Sequence, residues 1–155
     1  MKVFSVYLFS LIVLTPNLTQ ATLTLVPTPP SISADAYLLE DFHSQQTLME
    51  KNADKQIKPA SLTKLMTAYL VFEELRAHNI QLTDRVKISE KAWRMPGSRM
   101  YLEVDTTVPV EQLLKGMIIQ SGNDASIALA EFVAGSEEAF VDLMNNRAQS
   151  LGLNH

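Results

Sequence analysis

The chain has 155 residues, of which 46% are hydrophobic and 19% are charged, and this is the composition of a folded globular protein rather than a disordered one. Its 13 Lys and Arg residues are scattered along the sequence and are outnumbered by 17 Asp and Glu residues, so the net charge of −4 argues against nucleic acid as a partner. The absence of cysteine excludes disulfides, thiolate chemistry and cysteine metal ligands.

The N-terminus has the pattern of a secretory signal peptide. Lys2 precedes a largely apolar run at residues 3–14, and a polar stretch ending in Thr-Gln-Ala follows Pro16. As a helix this run would span only ~18 Å, whereas a bilayer core is ~30 Å thick. We therefore expect residues 1–21 to be a signal peptide, in preference to a membrane anchor or a buried helix, and the protein to be exported to the periplasm or cell envelope.

The next two segments predict a linker and a hairpin. Residues 22–33 contain three prolines and no charge, which is typical of an extended linker. Two short runs rich in strand-forming residues follow at 35–41 and 46–50. We expect them to pair as an antiparallel hairpin with His43 in its turn.

The period of the apolar residues then changes from that of a strand to that of a helix. Leucines, methionines and aromatic residues recur at helical spacing from Ser61 to about Ala77, which predicts a long helix. Residues 86–93 fit a strand or a helix, and the proline and glycine at the start of 95–109 predict a loop.

The C-terminal third is predicted to be helical. A helix is expected at 110–119, with a break at 120–124, where the sequence reads Gln-Ser-Gly-Asn-Asp. The helical pattern resumes at 125–134, and Ser136 is placed to cap a last helix that reaches Gln149. The sequence after the linker therefore predicts a two-stranded hairpin followed by a cluster of helices.

A candidate nucleophile and base lie at the start of the first helix. Residues three apart share one face of a helix, so the hydroxyl of Ser61 and the amine of Lys64 can meet. A serine there also lies beside free backbone N–H groups that stabilise developing negative charge. A helix-capping serine and an extended, solvated lysine would explain the same two residues without catalysis.

A lysine acts as a base only when it is neutral. With an unperturbed pKa of ~10.4, roughly one lysine in 2,500 is neutral at pH 7, so burial in a cleft is needed. The apolar neighbours of Lys64, which are Leu62, Leu65 and Met66, are consistent with such burial.

A second polar group interrupts the helical region at Ser121-Gly122-Asn123. The break presents a hydroxyl and a carboxamide together in a loop. A turn between two helices, with Asn123 or Asp124 as the N-cap, would give the same sequence, and the two interpretations are compatible.

These elements together resemble a known family. The motifs "SLTK" at 61–64 and "SGN" at 121–123, and their surroundings "PASLTKLMTAY", "GSRMYL" and "LLKGMIIQSGNDASIALAEFVAGS", are similar to the D-alanyl-D-alanine carboxypeptidases of the low-molecular-mass penicillin-binding class. The resemblance covers residues 34–155. It implies an α/β (α+β) fold of the β-lactamase/transpeptidase type, of which this chain would hold an antiparallel hairpin of the sheet and the helical subdomain.

The resemblance also assigns roles to four side chains. Ser61 would be the acyl-accepting nucleophile, Lys64 its general base, Ser121 a proton relay, and Asn123 the group that holds Lys64 and the substrate amide. The backbone N–H of Ser61 would form half of the oxyanion hole. The reaction would remove the terminal D-alanine of peptidoglycan pentapeptides, β-lactams would acylate the same serine, and neither a metal nor a cofactor is implied.

Two departures from the family pattern matter. The second motif reads S-G-N rather than the S-D-N of class A β-lactamases, which favours a carboxypeptidase. The third motif of the family, K-T-G, has no counterpart here, because the last lysine is Lys115. We therefore expect residues 34–155 to be the N-terminal portion of the domain, with the remaining sheet strands missing, and the chain to be poorly active by itself.

Three alternatives stay open. They are a β-lactamase, a transpeptidase, and a non-catalytic penicillin-recognising or cell-wall-binding module on the same fold. The resemblance also allows a peripheral association with the inner membrane through a C-terminal region that this sequence does not contain.

Overall fold

The computed structural model describes residue 28 and residues 30–153. The predicted signal peptide, 1–21, and most of the predicted linker therefore lie outside the described residues, and residues 30–33 have no regular secondary structure. The chain divides into two compact units between Asp54 and Lys55, and each is described by itself.

The first unit contains a β-hairpin. Strand β1 (Tyr37–Glu40) pairs antiparallel with strand β2 (Thr47–Lys51). The turn is closed by Asp41, whose Oδ1 accepts hydrogen bonds from the backbone N–H of Ser44 at 2.7 Å and from its hydroxyl at 2.8 Å. His43 lies in this turn, so the predicted hairpin and turn are both confirmed.

The second unit is mainly helical, and its long helices lie where the apolar periodicity predicts them. A single 3₁₀ turn, Ala60–Leu62, precedes the first of them. In the part of the chain that the structure describes, the helices and remaining strands are α1 (Thr63–Arg76), β3 (Arg85–Lys87), α2 (Glu90–Trp93), β4 (Thr107–Pro109), α3 (Val110–Gln120), α4 (Asn123–Ala134) and α5 (Glu137–Ser150). None of the helices within residues 30–153 is long and apolar enough to cross a membrane.

The segment that the sequence left ambiguous, 86–93, is a strand followed by a short helix. Strand β3 pairs antiparallel with β4, and Val86 lies opposite Val108. Ser89 then starts α2, because its side chain accepts a hydrogen bond from the backbone N–H of Ala92 at 3.0 Å. The prediction of a loop through 95–109 was wrong at its end, where β4 forms by pairing with a strand about twenty residues earlier.

The ends of the last two helices follow from local chemistry. Gly135 ends α4 in the left-handed conformation, at φ = +82°, which glycine adopts without a steric penalty. The hydroxyl of Ser136 then accepts from the backbone N–H of Ala139, so the predicted cap of α5 is confirmed. The expectation that Asn123 or Asp124 is the N-cap of α4 was wrong, because Gly122 occupies that position and both residues lie inside the helix.

Helix α4 lies at the centre of the second unit. It packs against α1, α2, α3 and α5, and its small buried side chains, Ala125 and Ala128, allow these helices to approach closely. The main core lies between α1, β3, α3 and α4, while Phe140 of α5 packs with Leu70 and Ala130 in a smaller cluster. This packing fixes α3 and α4, and therefore the break between them, against the start of α1.

An exposed ion-pair cluster joins α2 to the first turn of α5. Lys91 Nζ lies 2.8 Å from a carboxylate oxygen of Glu137 and 2.9 Å from one of Glu138. The hydrogen bonds that Lys91 donates to these two carboxylates raise the pKa of Lys91, and the one to Glu137 contributes most. The hydrogen bond from Lys91 lowers the pKa of Glu138 from its ordinary value of 4.5 to about 2.

This cluster predicts an acid-dependent loss of stability. Because the pKa of Glu138 is lower in the folded than in the unfolded chain, its stabilising contribution is complete above pH 4.5 and is lost as the pH falls towards about 2. We expect Glu138→Gln to lower the free energy of unfolding at pH 7 and to have a much smaller effect near pH 2. Urea unfolding of both proteins at the two pH values checks this, and an equal difference at both would contradict it. Since the pair is exposed, 1 M salt should shrink the effect.

Candidate active site

Ser61 lies in the 3₁₀ turn that leads into α1. The preceding residue, Ala60, has a left-handed backbone at φ = +47°, which is uncommon for a residue with a Cβ atom. Lys64 follows in the first turn of α1, and its Nζ lies 3.4 Å from Ser61 Oγ. The predicted meeting of this hydroxyl and this amine is confirmed. The contact is long for a hydrogen bond.

Ser121 is brought to Ser61 by a sharp reversal at the end of α3. Its backbone is left-handed, at φ = +56°, and its N–H bonds to the carbonyl of Gly116. In this conformation the Ser121 hydroxyl lies 3.0 Å from Ser61 Oγ and is placed to donate to it. A strained residue of this kind persists only where its surroundings hold it, and such residues cluster at functional sites.

Asn123, the first residue of α4, lies on the other side of Lys64. Its Oδ1 accepts a hydrogen bond from Lys64 Nζ at 2.7 Å. Its Nδ2 donates to the carbonyl of Pro96 at 2.7 Å, and its backbone N–H donates to the carbonyl of Ser98 at 2.8 Å. Because Pro96 can only accept, the amide is held with its oxygen towards the lysine.

The loop at residues 95–102 is a part of the site that the sequence analysis did not identify. Two carbonyls of this loop accept hydrogen bonds from Asn123. The loop also contains Gly97, at φ = +86°, where an added Cβ atom would lie 2.9 Å from Asn123 Nδ2. The Ser98 hydroxyl donates to the carbonyl of Gln120, just before the helix break. The Pro-Gly pair at 96–97 was a turn signal in the sequence, but nothing in it indicated a contact with Asn123.

A cavity of about 430 Å³ lies beside Ser61, Lys64 and Ser121. Its apolar walls include Leu62 and Leu65, which are 66% and 71% exposed. Both leucines are therefore largely exposed among the described residues, whereas Met66, the third apolar neighbour expected for Lys64, is half-buried. The lysine is half-buried, and Asn123 supplies its polar partner.

The arrangement of these side chains is suited to acyl transfer. A serine hydroxyl lies within reach of one amine and one further hydroxyl, next to a cavity that is mostly apolar. Within the described residues, no group of three or more His, Asp or Glu side chains is arranged to hold a metal ion. The structure thus brings together all four predicted site residues, namely Ser61, Lys64, Ser121 and Asn123.

Comparisons with known proteins identify the family. A model of the D-alanyl-D-alanine carboxypeptidase family matches residues 23–155. The carboxypeptidase DacC of Escherichia coli K12 is 50% identical over 130 residues, which are 80% of this chain and 32% of DacC. This chain therefore spans about a third of the length of the curated relatives that it matches.

Solved structures agree with this match. The carboxypeptidase DacD of Francisella tularensis superposes with a TM-score of 0.75 at 41% identity, over 88% of this chain and 33% of DacD. Penicillin binding protein 5 of Haemophilus influenzae superposes with a TM-score of 0.73 at 43% identity, over 82% of this chain and 38% of that protein. The expected α/β (α+β) fold class is confirmed, and the chain belongs to the D-alanyl-D-alanine carboxypeptidase family.

Proposed function

We propose that this protein is a serine-type D-alanyl-D-alanine carboxypeptidase that acts on peptidoglycan pentapeptides through an acyl-enzyme on Ser61. One observation carries the proposal. The Ser61 hydroxyl contacts both the Lys64 amine and the Ser121 hydroxyl, and Asn123 holds the same amine from its far side. A nucleophile, its base and an orienting group in mutual contact are the usual arrangement for nucleophilic catalysis.

In the first half of the reaction, Ser61 Oγ attacks the carbonyl carbon between the two D-alanines. The amine of Lys64 accepts the hydroxyl proton as the new C–O bond forms, and the oxygen of the carbonyl becomes an oxyanion. The backbone N–H of Ser61 donates a hydrogen bond to that oxyanion. The 2.7 Å hydrogen bond to Asn123 keeps the amine of Lys64 in place for the transfer.

In the second half, the tetrahedral intermediate collapses and the C–N bond breaks. The leaving nitrogen of the terminal D-alanine takes the proton from Lys64 through the hydroxyl of Ser121, which lies 3.0 Å from Ser61 Oγ. Water then hydrolyses the ester, which restores the Ser61 hydroxyl and releases the shortened peptide. β-Lactams open on the same serine and leave a slowly hydrolysed ester.

The proposal includes a location and an organisation of the chain. Residues 1–21 would export the protein to the periplasm or cell envelope, 22–33 would form a linker, and 34–155 would belong to the peptidase domain. Peptidoglycan pentapeptides and β-lactams are the proposed ligands, and the penicillin-binding name of the Haemophilus influenzae structure supports the second. A peripheral contact with the inner membrane through a C-terminal region is part of the same proposal.

Two assays on the purified protein test this function. We expect a fluorescent penicillin to form a covalent adduct that is released slowly. We expect D-alanine to be released from a pentapeptide only at a low rate, because residues 34–155 are expected to be poorly active by themselves. Rapid release of the opened penicillin would make the protein a β-lactamase instead. The absence of any adduct would contradict the enzyme proposal and favour a binding module.

Gly97, which lies next to the side chain of Asn123, allows a test of whether the position of that side chain matters for acylation. At Gly97 an added Cβ atom would meet Asn123 Nδ2 at 2.9 Å, and the positive φ would cost about 1–2 kcal/mol. We therefore expect Gly97→Ala to slow penicillin acylation and to lower the stability. In Gly135→Ala the backbone strain is similar, at φ = +82°, but nothing lies within 4 Å. This control should lose stability in urea unfolding and keep its acylation rate, and equal rates in the two variants would contradict the steric argument.

A further inference from the structure

The carboxylate of Asp124 is buried beside the site and is not used in the proposed chemistry. Only 1% of this residue is exposed. Its Oδ1 accepts hydrogen bonds from the backbone N–H groups of Ala125 at 2.9 Å and Met100 at 3.0 Å, and its Oδ2 accepts from that of Leu102 at 3.1 Å. Two of these three donors belong to the loop at 95–102, which is more than twenty residues away in sequence.

That same loop holds Asn123. The carbonyls of Pro96 and Ser98 accept the two hydrogen bonds that Asn123 donates. Asp124 is fixed in the first turn of α4, the loop is fixed to Asp124, and the side chain of Asn123 is fixed to the loop. The Asn123 oxygen that accepts from Lys64 is therefore held in place indirectly by the carboxylate of Asp124. That carboxylate contacts neither the Asn123 oxygen nor the Lys64 amine.

We propose that Asp124 is a positioning residue, which acts through the loop at 95–102 to orient the Asn123 amide towards Lys64. The inference rests on the proposed function, because the orientation matters for catalysis only if Lys64 is the base for Ser61. It adds to that function a group which the motif pattern of the sequence did not identify.

The chemistry of the side chain supports this role. A carboxylate only accepts hydrogen bonds, so both of its oxygens can receive backbone N–H groups at once. A carboxamide of the same shape would turn an NH₂ group towards one of those donors and leave that buried donor unpaired. Asp124→Asn is therefore expected to loosen the loop while it leaves the volume of the core unchanged.

A purely structural role would give a different result. An aspartate in the first turn of a helix also stabilises that helix through its dipole, and its loss would then lower stability without moving Asn123. The two roles are separated by a measurement on Asn123 itself. Its Nδ2 group, which donates a hydrogen bond to the carbonyl of Pro96, reports whether the amide keeps its place.

The experiment compares Asp124→Asn with Asp84→Asn. Asp84 also accepts a backbone hydrogen bond, from Gln81 at 2.8 Å, but it has no contact with the loop at 95–102 among the described hydrogen bonds. The first measurement is hydrogen exchange of the Asn123 side-chain amide by NMR. The second is the rate constant for acylation by a fluorescent penicillin, at a temperature where every variant is folded.

We expect the Asn123 amide to exchange at least about tenfold faster in Asp124→Asn, because the loop opens locally. Acylation should slow by roughly 10- to 100-fold, as expected for a small misplacement of catalytic groups. Asp84→Asn should change neither quantity. Asp124→Glu keeps the carboxylate, so its amide exchange rate and its acylation rate should lie between those of Asp124→Asn and the original protein. If Asp124→Asn does not fold, Asp124→Glu replaces it in the comparison.

Unchanged amide exchange in Asp124→Asn would overturn the proposal, as would an unchanged acylation rate. If the original protein forms no adduct, the proposed enzyme function fails and the catalytic part of this inference fails with it. The amide exchange would still decide separately whether Asp124 holds Asn123 in place.

Discussion

Ser61→Ala is expected to abolish the covalent penicillin adduct and to lower D-alanine release by more than about 10⁴-fold, which is the scale seen when a catalytic nucleophile is removed. The reason is that the acyl group has no other acceptor in the proposed mechanism. Ser121 lies only 3.0 Å away, but its hydroxyl is held in the left-handed turn at the end of α3 and faces Ser61.

A gel assay with a fluorescent penicillin measures the effect of Ser61→Ala. Ser150→Ala, at the end of α5, is a suitable control because that serine is exposed and, among the described residues, its hydroxyl bonds only to the carbonyl of Arg147. The control should be labelled like the original protein. Undiminished labelling of Ser61→Ala would show that another residue accepts the acyl group.

Lys64→Met is expected to slow acylation of Ser61 by about 10²- to 10⁴-fold, which is the usual contribution of a general base. Methionine has a similar length and shape but cannot accept a proton, and it leaves Asn123 Oδ1 without the donor that it has at 2.7 Å. Stopped-flow or quench-flow acylation kinetics give the rate constant directly.

Lys64→Arg separates the role of a base from that of a positive charge. Arginine keeps the charge but cannot be deprotonated in a protein, so acylation of Lys64→Arg should be about as slow as acylation of Lys64→Met. Lys115→Met is the matched control, since that lysine is exposed and, within residues 30–153, pairs only with Glu111 on its own helix at 2.6 Å. Near-normal acylation in Lys64→Arg would mean that Lys64 acts through its charge, and the proposed proton transfer would be wrong.

Much of the fold could be predicted because its signals are local. The helical period of α1, the serine cap of α5 and the turn of the first hairpin each depend on residues within a few positions of one another. The pairing of β3 with β4 could not be predicted in this way. Each strand has only three residues, and the partner that stabilises it is about twenty residues away.

The same distinction holds at the site. The contact of Ser61 with Lys64 follows from helix geometry, because the two residues lie one turn apart. The contact of Asn123 with the carbonyls of Pro96 and Ser98, and that of Asp124 with Met100, join segments separated by more than twenty residues. Sequence reasoning therefore assigned Asp124 to a helix cap, whereas in the structure its carboxylate anchors a loop.

The central claim is that Ser61 is the nucleophile, and the most direct test is to locate the acyl group. Trypsin is expected to cleave after Lys55 and Lys64 but not before Pro59, so Ser61 lies in the peptide 56–64 and Ser121 lies in the separate peptide 116–147. After reaction with a penicillin and digestion, mass spectrometry should find the added mass on peptide 56–64, with fragment ions that place it on Ser61. The added mass on 116–147, or on any residue other than Ser61, would contradict the account.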